Sequence, residues 1–170
     1  SLSPAVVDCF VFWTKNPAPM LNQLDKLQDY NYYFQFTLNP YGEKLENRLP
    51  SIDKRIDTFK KLADKIGRER VIWRYDPILF SAKYTPEWHL QTFGELASDF
   101  RGKTEKCVIS FLDPYYNCAE INKRLGVYSP DGEELFTFSK QMAEIGKENG
   151  ITIASCAEKM DLQECGIEHN

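Results

Sequence analysis

Four times along this chain an apolar run closes on an asparagine or aspartate followed at once by proline: Thr14-Lys15-Asn16-Pro17, Thr37-Leu38-Asn39-Pro40, Tyr75-Asp76-Pro77 and Leu112-Asp113-Pro114. Proline has no N–H for a ladder and pushes the preceding residue away from helical dihedrals, so each dipeptide is expected to end a strand at a defined place. The runs they close are Val6 to Trp13, Tyr32 to Leu38, Arg70 to Tyr75 and Cys107 to Leu112, with Ile151 to Ser155 as a fifth. All are rich in β-branched or aromatic residues, and most are apolar on both alternating faces, as in parallel strands covered by helices on two sides.

The segments between them carry helical spacing. Leu49, Ile52, Ile56, Phe59, Ala63 and Ile66 recur at three- and four-residue steps before Gly67, which supplies a left-handed stop. Thr85 and Pro86 open a third helix with the stripe Leu90, Phe93, Ala97 and Phe100, ending at Gly102; threonine caps and proline at the first position are the usual start signals. Leu135, Phe138, Met142 and Ile145 make a fourth stripe before Asn149 and Gly150, and a shorter first helix follows Pro19 through Leu21, Leu24 and Leu27. Strand and helix in alternation give an α/β fold with right-handed crossovers. No glycine-rich phosphate loop follows a strand, and the second and third crossovers have similar lengths. The pattern also suits an open doubly wound sheet, but these features favour a single domain over residues 1–170, a partial TIM-like β/α barrel of five strands and four helices.

A chain of 170 residues can bury roughly 70% of its unfolded surface, enough for a core without staples. A net charge of −4 gives no electrostatic reason for a nucleic-acid or anionic-membrane partner. No apolar run approaches the roughly 20 residues of a membrane span, and Ser1 to Asp8 lacks the regions of a signal peptide. A cytoplasmic location is expected. Five cysteines, Cys9, Cys107, Cys118, Cys156 and Cys165, are odd in number and scattered, so reduced thiols are expected, with Cys9 and Cys107 as small buried hydrophobes. A strand-like run beginning so soon, without an initiator methionine, reads as an internal piece of a longer chain.

In parallel α/β folds ligands bind at the C-terminal strand ends, and the polar residues gather there. Alternation places Gln35, Thr37 and Asn39 on one face of the second strand, Arg74 and Asp76 on one face of the third, and Thr14 with Asn16 on the first. Arginine and glutamine inside apolar strands are costly to bury unless paired, so they line a cavity or form a network. Arg74 reads as a fixed guanidinium for a carboxylate or phosphate with Asp76 as acid/base, or else as half of a structural pair. Lys15 can bind an anion, and Tyr75 or Tyr115 can stack a substrate ring. Asp76, Asp113 and Glu158 could hold a divalent metal, though acids in such positions more often cap helices. Cys156, Cys165 and His169 form a weak zinc signal. His89, in the third helix, reads as a surface or groove histidine.

The strings Phe12-Trp13-Thr14-Lys15-Asn16-Pro17, Tyr33-Phe34-Gln35-Phe36-Thr37-Leu38-Asn39-Pro40, Val71-Ile72-Trp73-Arg74-Tyr75-Asp76-Pro77-Ile78 and Ser110-Phe111-Leu112-Asp113 resemble the bacterial family catalogued as domain of unknown function 1848. Cys156-Ala157-Glu158, Asp161-Leu162 and Gly166-Ile167 are similar to that family's later part, so the resemblance covers nearly the whole chain. Members resemble radical S-adenosylmethionine enzymes through a C-terminal cysteine cluster that looks like a three-cysteine iron-sulfur site, with one iron left for the cofactor. The resemblance implies that this chain is the central part, lacking both that cluster and an earlier strand with a Ser-Arg-Arg-Thr-Asp run. It also implies that Gln35, Asn39, Arg74, Asp76 and Glu158 line the cavity facing the cluster, with Gln35, Asn39 and Arg74 expected to bind cofactor and Asp76 and Glu158 to act in catalysis. By their strand-end positions Lys15, Asn16, Asp113 and Tyr115 are expected to meet a small-molecule substrate.

The expected function is the core of a radical S-adenosylmethionine-type enzyme whose iron-sulfur cluster and S-adenosylmethionine belong to the full-length protein. The alternatives are a metal-dependent β/α-barrel hydrolase or isomerase and a non-enzymatic small-molecule-binding barrel. Five strands cannot close a barrel, so self-association through open strand edges is also expected. The chain alone lacks the close cysteine spacing of a cluster; iron and sulfide assays on it are expected to find less than stoichiometric amounts of both.

Overall fold

In the computed structural model, residues 2–43, 45–112, 123, 125–156 and 162–170 are described. Six strands follow one another in the sheet as they do in sequence, β1 (Phe10–Thr14), β2 (Tyr32–Thr37), β3 (Val71–Ile78), β4 (Lys106–Phe111), β5 (Thr152–Ser155) and β6 (Glu168–His169). The architecture is α/β, and the registered pairs β1 with β2, β2 with β3 and β5 with β6 are parallel. The chain divides into two compact units, one of Ser1–Arg74 with Gly102–Lys106 and one of Tyr75–Arg101 with Cys107–Asn170.

The first unit is built on aromatic strand residues. Along β2, Phe34 and Phe36 are fully buried; Phe12 stacks on Phe34 at 4.9 Å and Phe36 meets Phe59 at 5.3 Å. Phe59 lies on helix α1 (Ile52–Ile66), which Ser51 caps by accepting from Lys54 N and Gly67 ends at φ 95°. At Gly67 the positive φ favours glycine, since a side chain there would be strained. Burying Phe34, Phe36 and Phe59 contributes on the order of 2 kcal/mol each. Trp73, fully buried on β3, donates its indole N–H to the Leu38 carbonyl at 3.0 Å.

The second unit packs helices α2 (Pro86–Phe100) and α3 (Gly132–Glu148). Thr85 caps α2 by accepting from Trp88 N, and Asp131 caps α3 by accepting from Glu134 N. Gly146 belongs to the contact between α3 and β5: a Cβ there would come within 2.7 Å of the Ile151 carbonyl.

Several expectations need correction. Among the described residues the strands number six, not five, because β6 is two exposed polar residues after the buried Ile167 and leaves no apolar run to read. The first strand begins at Phe10 rather than Val6: Val6 and Val7 donate to the Ser3 carbonyl in a turn, Val6 is 66% exposed, and Cys9 is exposed rather than buried. Only one face of β1 is covered, since Val11 and Trp13 are exposed. Asp76-Pro77, a cis bond, does not end β3. The missing Pro77 N–H costs the ladder nothing where the next contact is a carbonyl, and Ile78 O accepts from Leu112 N at 2.8 Å. The first helical segment, Ala18–Leu27, is a 3-10 helix whose Met20 N donates three residues back to Pro17 O. Among the described residues no helix is long and apolar enough to cross a membrane.

His89 is the largest departure. It is fully buried, with Nε2 donating to the Leu79 carbonyl at 2.9 Å and Nδ1 accepting from the Tyr75 hydroxyl at 2.7 Å. A carbonyl can only accept, which fixes the neutral tautomer with its proton on Nε2. The rings of Tyr75, Phe80, Trp88 and Phe138 surround it edge-on. Burial pushes its pKa down from 6.5 to about 4. In the unfolded chain His89 takes up its proton near pH 6.5, in the folded one only near 4, so its contribution is full above the first value and is lost as pH falls through the second. At about 1.4 kcal/mol per unit, that loss amounts to about 3 kcal/mol. Denaturant melts of wild type and His89→Gln between pH 7 and pH 4 are expected to show the stability gap shrinking by about this amount.

Candidate functional site

In the first unit β1, β2 and the part of β3 up to Arg74 carry one polar cluster. The register pairs Trp13 with Gln35 and Thr37 with Arg74. With Phe34 and Phe36 turned into the core, alternation leaves Gln35 and Thr37 on the opposite face. The Arg74 guanidinium carbon lies 4.3 Å from the centroid of the Trp13 ring, and Nη1 donates to Gln35 Oε1 at 2.8 Å. Trp13 in turn donates its indole N–H to Thr37 Oγ1 at 3.0 Å. Arg74 is buried, whereas Trp13 is 65% exposed. A guanidinium over an indole face gains about 0.5 to 2 kcal/mol. The arrangement is a cation held flat beneath a solvent-facing aromatic, with an amide and a hydroxyl beside it.

A second cluster in the same unit is centred on Glu46. Its Oε1 accepts from Lys15 Nζ at 2.7 Å and its Oε2 from Arg55 Nη1 at 2.9 Å. Arg55 Nη2 reaches the Asn39 backbone carbonyl at 3.3 Å. Glu46 and Arg55 are buried, while the Lys15 side chain is 44% exposed. The buried Asn39 therefore enters the cluster through its carbonyl. Asn16 shapes the turn after β1: its Oδ1 accepts from Ala18 N at 3.2 Å and its N–H donates to Thr14 Oγ1.

In the second unit, Asp76 is half-buried and its Oδ1 accepts from the Ser110 hydroxyl. Tyr75 is buried against His89 rather than open to a substrate ring. Asp113, Tyr115 and Glu158 lie outside the described residues. Cys156 is half-buried, Cys165 is buried with its thiol near the Phe136 carbonyl at 3.6 Å, and His169 is exposed on β6. Among the described residues no three histidine, cysteine, aspartate or glutamate side chains group as a metal site.

The family model described as a domain of unknown function, DUF1848, matches residues 1–170. The chain belongs to the DUF1848 family. No curated protein matches it.

Glu46 and Arg55 are the residues of this DUF1848 chain that sequence reasoning missed. A signal for Arg55 was there: it stands four residues before the buried Phe59 and seven before the buried Leu62, so helical spacing puts its charge on the core stripe of α1. Nothing comparable marks Glu46, which lies in the loop between β2 and α1.

Removing one partner from a buried ion pair leaves an uncompensated charge, at a cost of about 3 to 5 kcal/mol. Arg55→Met in this DUF1848 chain is expected to lose that much in denaturant melts. Lys15→Met, which removes the solvent-facing end, should lose less than about 1 kcal/mol.

Proposed function

We propose that this chain is part of a cytoplasmic, bacterial β/α barrel of the radical S-adenosylmethionine type, and that its strand ends hold a small anionic ligand. The observation that carries the reading is the buried Arg74 guanidinium beneath the exposed Trp13 indole, with Gln35 beside it. A guanidinium is weakly hydrated and offers a planar fork of donors suited to a carboxylate, while an open indole face accepts a planar ring or a sulfonium. Both groups occur in S-adenosylmethionine. The sequential strand order, in which each strand neighbours the next, is the connectivity of a β/α barrel and supports that part of the proposal. Free thiols at Cys9, Cys107, Cys156 and Cys165 agree with a reducing compartment.

The proposal assigns the cluster, as the family resemblance implies, to cysteines outside residues 1–170. A bound cluster would supply the electron that cleaves the cofactor; the work of this chain is to bind and orient. Arg74 and Gln35 would fix the carboxylate end, and Trp13 would cover the ring or sulfonium.

The test uses the full-length protein, reconstituted anaerobically. Iron-sulfur absorbance and reductive formation of 5′-deoxyadenosine are expected, and the absence of both refutes the enzyme reading. Arg74→Gln is expected to weaken S-adenosylmethionine binding about ten-fold or more while stability falls by about 1 kcal/mol. A variant that binds normally but melts early would show that Arg74 only holds the strands together. Ligand retained without turnover would make the protein a binding barrel.

A further inference from the structure

The Lys15–Glu46–Arg55 cluster is larger than structural need requires. A buried ion pair seldom stabilises more than apolar residues of the same volume would. Arg55 Nε is moreover buried without a hydrogen-bond partner among the described residues, and an unsatisfied buried donor costs about 1 to 3 kcal/mol. What the cluster does achieve is to fix Lys15. A lysine at a strand end has a flexible four-carbon stem and no preferred direction. Here its ammonium is drawn to Glu46 at 2.7 Å, and Glu46 is itself held from behind by Arg55 at 2.9 Å. Arg55 cannot drift either, because its second amino group is spent on the Asn39 carbonyl just past β2. The three charges sum to one positive, and Lys15 is the member that meets solvent.

We infer that Glu46 and Arg55 are positioning residues that hold the Lys15 ammonium at the ends of β1 and β2 to receive the anionic group of a small ligand. The inference deepens the reading of these strand ends as a ligand site and rests on it. One donor of the ammonium goes to Glu46, and the others are directed to the incoming oxygen atoms. The chemistry recognised is a phosphate or carboxylate oxygen. A planar bidentate partner is not required, because an ammonium acts as a point charge.

Simple electrostatics and positioning make opposite predictions for Glu46, which is what renders the idea testable. If Glu46 merely neutralises Lys15, removing its charge frees the ammonium and anions bind more tightly. If Glu46 positions Lys15, removing its charge weakens binding. The experiment titrates the chain with inorganic phosphate and, separately, with acetate, following backbone amide shifts around Lys15 and Asn16. Lys15→Met is expected to weaken binding about ten-fold, and Lys15→Arg to retain it within about three-fold. Glu46→Gln should weaken binding about five-fold or more and add nothing in the double variant with Lys15→Met, since residues acting as a unit are not additive. Arg55→Lys, which can reach Glu46 but cannot also hold Asn39, should fall between. A stronger response to phosphate than to acetate assigns a phosphoryl ligand, and the reverse a carboxylate; either supports the proposal. Glu46→Gln binding as well as wild type or better overturns it, as does a wild-type chain whose Lys15 region responds to neither anion. S-adenosylmethionine binding by the Arg74 variant is a separate measurement, so this inference and the enzyme reading fail independently.

Discussion

A guanidinium enters a protein interior only at a cost unless its donors are met, and the strand ends of the first unit are arranged around two of them. Arg55 donates to a carboxylate and a backbone carbonyl while its Nε has no partner among the described residues, and Arg74 donates to an amide oxygen and lies against the face of an indole. Each solution fixes other residues in turn. Glu46, held by Arg55, draws Lys15 to one place; Trp13, lying over Arg74, is anchored by its bond to Thr37. The side chains of β1 that reach solvent are thus ordered by charges that do not. The backbone takes part as well, for Leu38 N donates to the Arg74 carbonyl at 3.0 Å and Trp73 donates to the Leu38 carbonyl.

The second unit solves an analogous problem without charge. His89 has two ring nitrogens to satisfy in an aromatic shell, and it does so by remaining neutral: one nitrogen donates to a carbonyl, the other accepts from a phenol. Protonation would turn the accepting nitrogen into a donor facing a hydroxyl, and would place a charge among packed aromatic rings. Burial and geometry therefore push the same way. The consequence is that His89 stays neutral at neutral pH and serves the packing of α2.

Arg55 and His89 also show where the sequence was legible and where it was not. The helices could be read because caps and stripes agreed, as at Thr85 and Pro86 or at Gly67. In both α1 and α2, however, a polar residue stands four positions before a buried phenylalanine, Arg55 before Phe59 and His89 before Phe93. Spacing assigns such a residue to the core and hydropathy assigns it to the surface. Spacing wins only if a partner exists, and the partners here come from distant loops and strands: Glu46, the Leu79 carbonyl, the Tyr75 hydroxyl. No local pattern reveals them. The polar faces of β2 and β3 were legible for the opposite reason, since a two-residue period needs no partner to be read. What the period could not say is that Arg74 would lie against Trp13. The Asx-Pro signal located the turn after β1 but failed at Asp76-Pro77, because an absent N–H ends a ladder only where the neighbouring strand needs that donor.

The two arginines are equally buried and meet different groups. Arg55 spends its charge on a carboxylate, so the pair presents little field to solvent on its own; its effect passes through Glu46 to Lys15. Arg74 meets an amide oxygen and an indole face. A ring that large is seldom left 65% exposed on a strand, since covering it would contribute on the order of 2 kcal/mol. Stability alone would favour covering Trp13; on β1 its ring stays exposed while Arg74 and Thr37, which contact it, are buried.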